Sequence, residues 1–432
     1  MSVPTTPAPP VAVSDFEELF DPFRKPYLED PYPILSRIRA EQPVFYSHDL
    51  GYWVVTRYED VRAIFRKTAA FSATNSIQPI TPPCPAAVDK MAEVGFRPGT
   101  FIVNEDAPEG PARRKKIAPS FTPNQLARFE PKIRELVTEY IDCFVRRGEA
   151  DLVAELTWEI PALVTFALMG VPDEDATTVK QFTSSMLLFL FGRPNEEEQI
   201  RMVESLAAFD QYSRMHVRRL IDKPGDDVMS DVIRAHQQDP ELFDEEYLYR
   251  TMLNLLFAGH ETTTNATSNM FQTLLADRAL WGAVGQDPSV ASKAVEESLR
   301  YHSSVIAWRR RSIEDFAVGG VTIPAGSNVL LLTSSANHDP AVFPEPERFD
   351  LTRDNANRHL SFGFGAHLCL GAPLARLEMR VFLEEMARRL PHAELVAGQE
   401  FEYPANVSFR GPTTLFARWD PAANPVPADR PS

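Results

Sequence analysis

Residues 244–275 restrict the fold more than any other stretch of this chain. The apolar pattern predicts a single helix over the whole stretch, the longest in the protein. At 1.5 Å per residue it would run roughly 45–50 Å. Leu253, Leu255, Leu256 and Phe257 fall on several faces, so it has to be buried. A polar run, His260-Glu261-Thr262-Thr263-Thr264, interrupts it. Threonine is a mediocre helix former, and buried polar groups need partners or water. Such a conflict between local and global preference often marks a functional site.

The rest of the pattern is that of one large, mainly helical domain with small sheets near its ends. Val44–Tyr46 and Tyr52–Thr56 alternate like paired strands around a His48–Gly51 turn. Residues 75–104 carry several prolines and glycines and are expected as a long irregular loop. From Pro123 to about Pro240 the pattern is helical, with turns at Pro172-Asp173, Pro194-Asn195 and Pro224-Gly225. A helix is expected around 288–301 and an amphipathic one over 372–390. Phe316–Val318, Val321–Ile323 and Val329–Leu332 are expected as a small meander. Residues 1–14 are expected as a disordered arm, 15–420 as the domain and 421–432 as a Pro-rich tail or linker.

The net charge of −16 disfavours nucleic acid and anionic membrane surfaces. The N-terminus lacks a basic and apolar leader, and apolar runs fall short of the ~20 residues of a spanning helix. A soluble, cytoplasmic monomer is the expectation, with no membrane partner. Three cysteines, Cys84, Cys143 and Cys369, are too few for a disulfide scaffold.

One cysteine stands out. Phe362-Gly363-Phe364-Gly365-Ala366-His367-Leu368-Cys369-Leu370-Gly371 places two glycines before it and one after. Glycine permits positive φ and a close approach to a large flat cofactor. The cysteine precedes a helix, whose amides and dipole favour a thiolate. A thiolate axial ligand pushes electron density onto iron and assists O–O cleavage. Taken alone, a lone cysteine before a Gly-rich turn is as well explained as a buried apolar thiol. No second cysteine lies at zinc-site spacing.

The segment resembles the cysteine loop of the cytochrome P450 family, Phe-Gly-x-Gly-x-His-x-Cys-x-Gly, with every specified position present. Further motifs follow in the family's order over about residues 20–418. The resemblance implies a triangular helical prism around a long central helix, haem b as cofactor, and Cys369 as the axial ligand of its iron. Phe362, Gly363 and Gly371 would cradle the haem. Ala258-Gly259-His260-Glu261-Thr262-Thr263 is similar to the family's oxygen-binding motif. Ala258 and Gly259 would leave space for dioxygen and substrate, and Glu261 and Thr262 would deliver protons. Arg114, Arg310 and His367 match the contacts to the haem carboxylates, with His359 a weaker candidate. Because Arg310 lies within Arg309-Arg310-Arg311, its register is open by one residue. Glu297, Arg300 and Arg348 would form a buried charge network. Gly110, in Asp106-Ala107-Pro108-Glu109-Gly110, stands where the family usually has His, which implies a missing carboxylate contact.

By family position the pocket would be lined by the 75–104 loop and by Met186, Leu187, Leu190, Leu255, Ala258, Val305, Ile306 and Phe409. This mostly apolar lining implies a small hydrophobic substrate, aromatic or alkyl-aryl, oxidised with O2 by hydroxylation or O-dealkylation. No flavin, nicotinamide or iron–sulfur motif is visible, so electrons must come from a ferredoxin or from a fused FMN/2Fe-2S reductase using NAD(P)H. The chain is similar to the haem domains of self-sufficient bacterial enzymes, which makes the Pro-rich tail the expected start of a linker. Arg113, Arg114, Lys115, Lys116, Arg376 and Arg380 are a candidate basic docking patch. Two rival readings keep the same cysteine: a peroxide-driven peroxygenase, and a haem sensor without catalysis. Glu261 and Thr262 argue against the first, and the lack of an evident DNA-binding or output module lowers the second.

Overall fold

The computed structural model describes residues 16–425. The arm expected over 1–14 and the tail beyond residue 425 lie outside the described residues. The fold is mainly α-helical, with a five-stranded, a three-stranded and a two-stranded sheet among the described residues.

The expected hairpin forms with Val44 opposite Val55 and Ser47 opposite Tyr52. Its second strand pairs in parallel with Asn328–Leu331, which in turn pairs antiparallel with Trp308–Ser312. Phe71–Ser72 closes the other edge. The meander expected over 316–332 is therefore absent. Phe316–Val318 and Val321–Ile323 form an isolated hairpin, and the third strand leaves it for the large sheet. The Pro324-Ala325-Gly326 turn explains this, because Gly326 takes φ 78° and redirects the chain.

Strand alternation in Trp308–Ser312 settles which arginine points where. Arg309 and Arg310 are both buried, but successive side chains leave opposite faces of a strand. Arg309 donates to the Ser76 carbonyl (2.8 Å) and lies over Phe191. Arg310 lies over Phe65 and enters the central cavity.

The 75–104 segment is not wholly irregular. A helix spans Pro85–Val94, with Pro85 in its first turn, Cys84 capping the Ala87 amide and Gly95 ending it at φ 70°. These are ordinary start and stop signals.

The long helical stretch is split. One helix runs Glu245–Ala258 and the next Glu261–Leu275, with Gly259-His260 between them. The Thr262 hydroxyl donates to the Ala258 carbonyl (3.0 Å), and the ladder resumes with Thr264 N–H to the His260 carbonyl (3.2 Å). A threonine hydroxyl inserted into the ladder is a standard cause of a kink. Gly259 is required there, since a Cβ would lie 2.6 Å from Thr165 Oγ1 and 2.7 Å from its Cγ2. The longest uninterrupted helix among the described residues is Glu196–Asp222, opened by a capping box at Asn195 and Glu198.

Glu297 and Arg300 pair within Ala291–Tyr301, with Arg300 Nε and Nη2 both 2.8 Å from the Glu297 carboxylate. Both are fully buried. The expected third member, Arg348, is displaced. Its side chain is 62% exposed and pairs with Glu345 and Asp350. Only its carbonyl joins the network, accepting from Arg300 and Arg353. Arg353 fills the place, donating from Nε to Glu297 Oε1 at 3.0 Å with a side chain 6% exposed. The turn in which Arg348 N–H meets the Glu345 carbonyl points Arg348 outward. Removing one partner of a buried ion network leaves charge unpaired. Arg353→Ala is therefore expected to cost about 2–3 kcal/mol of stability, and Arg348→Ala no more than about 0.5 kcal/mol. Denaturant unfolding of the two variants measures the difference.

Candidate active site

The loop Phe362–Gly371 folds back on itself. Cys369 N–H donates to the Phe362 carbonyl (3.0 Å), and Gly363 and Gly365 take positive φ. The helix Ala372–Arg389 starts immediately afterwards. Its first amides, those of Gly371 and Ala372, point at the Cys369 thiol. The sulfur opens onto the central cavity and is otherwise enclosed by protein. Burial pushes the thiol pKa up, and the two amides and the Arg114 and Arg376 guanidiniums pull only part of the way back. Left to itself, this sulfur stays protonated.

The cavity walls bring most of the expected residues together. Cys369, Phe362, Gly363, Gly371, His367, Arg310 and Arg114 line it, as do Ala258, Gly259, Glu261 and Thr262 of the kinked helix. Of the expected pocket residues, Leu187, Leu255, Val305 and Phe409 are on the wall. From the 75–104 segment come Ile77, Ile102 and Val103. Met186, Leu190 and Ile306 are buried in the core instead. In the helix Ala176–Phe191, Leu187 lies on the cavity side, and Met186 and Leu190, four apart, share another face.

Several wall residues escape the sequence reading. Trp308 lies two residues before Arg310, so strand periodicity places both on one face. Asn254 lies one helical turn before Ala258. Thr165, Leu168 and Met169 come from another helix and its end, and nothing local marks them. Glu378 also lines the cavity, fully buried, with both carboxylate oxygens unpartnered. Burial pushes its pKa well up, so it is held neutral.

Among the described residues no carboxylate forms a direct ion pair with Arg114 or Arg310, and Asp106 acts on Arg310 and His367 only from further away. Burial lowers Arg114 from its ordinary value, and lowers Arg310 to about 10. Arg310 Nε and His367 Nδ1 are buried without partners. His367 is pushed down to about 4, by burial first and then by Arg310 and Arg114. It is neutral at pH 7 and acts as a hydrogen-bond donor. His359, the weaker candidate, is off the wall. Its Nε2 lies 3.4 Å from the Glu296 carboxylate, and its Nδ1 accepts from Ser361 N–H (3.2 Å).

These residues fit haem b. Two carboxylates would satisfy Arg114, Arg310 and His367. A metal would let the Cys369 sulfur ionise. Among the described residues no group of three or more His, Cys, Asp or Glu could hold a metal ion. An iron bound by Cys369 therefore has to bring its other ligands with it, as a porphyrin does.

On the wall formed by the kinked helix, burial pushes Glu261 up to about 7, and its Oε2 has no partner among the described residues. His260 turns away from the cavity. Its Nδ1 lies 3.2 Å from the Thr183 hydroxyl and its ring meets Trp158 edge-on. Burial takes it down to about 4.

The expected basic patch is largely neutralised from within. Arg376 pairs with Glu296, Arg380 with Glu130 and Glu384, and Arg113 with the buried Glu105. Lys115 and Lys116 remain exposed. Arg113 also lies over the Tyr247 ring, whose hydroxyl donates to Glu105 (3.0 Å).

Gly110 owes its identity to this cluster. A Cβ there would meet the Glu105 carbonyl oxygen at 2.7 Å and its Cβ at 2.9 Å. The glycine lets the helix Glu109–Ile117 start tight against the segment that carries Glu105.

Residues 289–398 match the family model Cytochrome P450. Over 388 residues the chain is 32% identical to Cytochrome P450(MEG) of Priestia megaterium, covering 89% of this chain and 92% of that one. An intact type IV self-sufficient cytochrome P450 monooxygenase superposes with a TM-score of 0.93 at 44% identity. That match covers 96% of this chain and 54% of the other, so this chain spans about half of that enzyme's length. A P450 haem domain from Acinetobacter radioresistens superposes at 0.90 with 40% identity, covering 93% and 97%.

Restoring the usual histidine is expected to harm this protein rather than add a haem contact. Gly110→His should lower stability by about 1–3 kcal/mol, because the clash is with backbone. Thermal unfolding of the haem-loaded variant measures this, and a rise in stability would contradict it.

Proposed function

The chain belongs to the cytochrome P450 family, and on that premise we propose that it is the haem-thiolate domain of a monooxygenase acting on a small hydrophobic substrate, aromatic or alkyl-aryl. Its cofactor is haem b, and its reaction uses dioxygen. The observation that supports the reading best is one cavity lined both by a buried, amide-bonded cysteine thiol and by a kinked helix bearing an unpartnered acid and a threonine.

When bound, the haem supplies dioxygen activation and transfer of one oxygen atom to the substrate. The protein's share is positional and electrostatic. Cys369 would hold the cofactor through its sulfur, with the Gly371 and Ala372 amides sharing its negative charge. Arg114, Arg310 and His367, which line the cavity, would hold its carboxylates. The kink keeps the Thr262 hydroxyl in the ladder as a donor to the Ala258 carbonyl, where it can also accept from water. Glu261, titrating near neutrality, holds a proton beside it. The apolar wall excludes bulk water from the rest of the cavity.

Electrons come from a reductase. The intact self-sufficient monooxygenase, about twice this chain's length, supports a fused reductase as the source, for which an FMN/2Fe-2S module is the reading proposed. The internal pairing of Arg376 and Arg380 weakens the case for a docking site built on bare charge. Among the described residues no helix is long and apolar enough to cross a membrane.

Thr262→Ala is expected to keep its haem while product formed per electron falls at least about tenfold, the electrons appearing as peroxide. Parallel assays of product and peroxide with an alkyl aryl ether check this. Unchanged coupling would remove Thr262 from proton delivery. Glu261 donates only while protonated, so coupled turnover should fall as pH rises through about 7. Glu261→Gln should flatten that limb of the profile, and an unaltered profile would exclude Glu261 as the donor.

A further inference from the structure

Asn254 carries a side-chain amide with no hydrogen-bond partner among the described residues. It sits in the helix Glu245–Ala258, is 4% exposed and lines the haem cavity. Its amide is not sealed in the core but opens onto the cavity. An amide that an apolar ligand strips of water and leaves unpaired costs about 1–3 kcal/mol, and asparagine is itself a mediocre helix former. Leucine would carry neither cost at a position surrounded by Leu253, Leu255 and Leu256. A polar group kept there against those costs needs a partner that enters from the cavity.

The helix fixes where that partner sits. Residues four apart share a face, so Asn254 lies on the same side as Ala258, about 6 Å along the axis by the rise per residue. Ala258 in turn accepts the Thr262 hydroxyl. The surrounding wall is apolar, with Leu187, Leu255, Val305 and Phe409. An amide is neutral and can either donate or accept. It therefore suits a neutral oxygen rather than a charged group.

We propose that Asn254 is a specificity-determining residue, whose side-chain amide hydrogen-bonds one neutral oxygen of an otherwise apolar substrate. The substrate class is an aromatic or alkyl-aryl compound carrying a carbonyl, ether or hydroxyl, rather than a bare hydrocarbon. This inference rests on the monooxygenase reading above.

The test compares acetophenone with ethylbenzene, close in shape and different in one oxygen. Both are titrated into the haem-loaded protein by calorimetry and by the spin-state change of the iron. The unmodified protein should bind the ketone more tightly. Asn254→Leu should weaken ketone binding about 3- to 10-fold, the worth of one hydrogen bond, and leave ethylbenzene unchanged or tighter. Asn254→Ala, which removes the amide without adding bulk, should shift the preference in the same direction. Equal binding of the two ligands by the unmodified protein overturns the proposal. So does a variant that changes both affinities by one factor, since the amide then only holds water. The absorption of the reduced carbon monoxide complex, recorded on the same samples, reports separately on the haem-thiolate reading.

Discussion

A sulfur anion in a closed cavity needs a metal to share its charge, and the rest of this structure is arranged around that need. Burial alone drives Cys369 towards the neutral thiol. Two amides and two guanidiniums oppose burial without overcoming it. An iron bound there would supply the remaining stabilisation, and a porphyrin's carboxylates would give partners to Arg310 Nε and His367 Nδ1, which have none among the described residues, with Arg114 beside them. The ligand loop, the cationic wall and the apolar roof thus answer to one electrostatic constraint.

The second constraint is the break in the central helix. Gly259 has no Cβ because Thr165 occupies that volume, and Thr262 spends its hydroxyl on the Ala258 carbonyl. His260 anchors the break from behind through Thr183 and Trp158. The acid at position 261 is thereby kept at the cavity wall in a setting that holds its proton near neutral pH. Helix regularity is given up where an unpartnered acid and open space lie together, as expected of a functional site.

What could be read from the sequence follows from how local each determinant is. The hairpin at 44–55, the cysteine loop and the Glu297–Arg300 pair are set by neighbours within a few residues, and each lies where the pattern places it. The ends of the Pro85–Val94 helix carried legible signals as well, though the density of proline around them masks the helix. Choices made by tertiary packing were not legible. Arg348 and Arg353 lie five residues apart in one irregular segment, and a turn decides which enters the core. Met186 and Leu190 share a helix with Leu187, and the rotation of that helix against its neighbours decides which of them meets the cavity. Gly110 looks like a lost ligand in one dimension. In three it is the clearance that lets Glu105 hold Arg113 and Tyr247.

The account stands on the bond between Cys369 and iron. Its most direct measurement is the absorption spectrum of the reduced carbon monoxide complex, taken on the unmodified protein and on Cys369→Ser, both purified with haem. The unmodified protein should show the long-wavelength Soret band of a thiolate-ligated haem, and the serine variant should lose it. A band that persists in Cys369→Ser, or that is missing from both, would contradict the account.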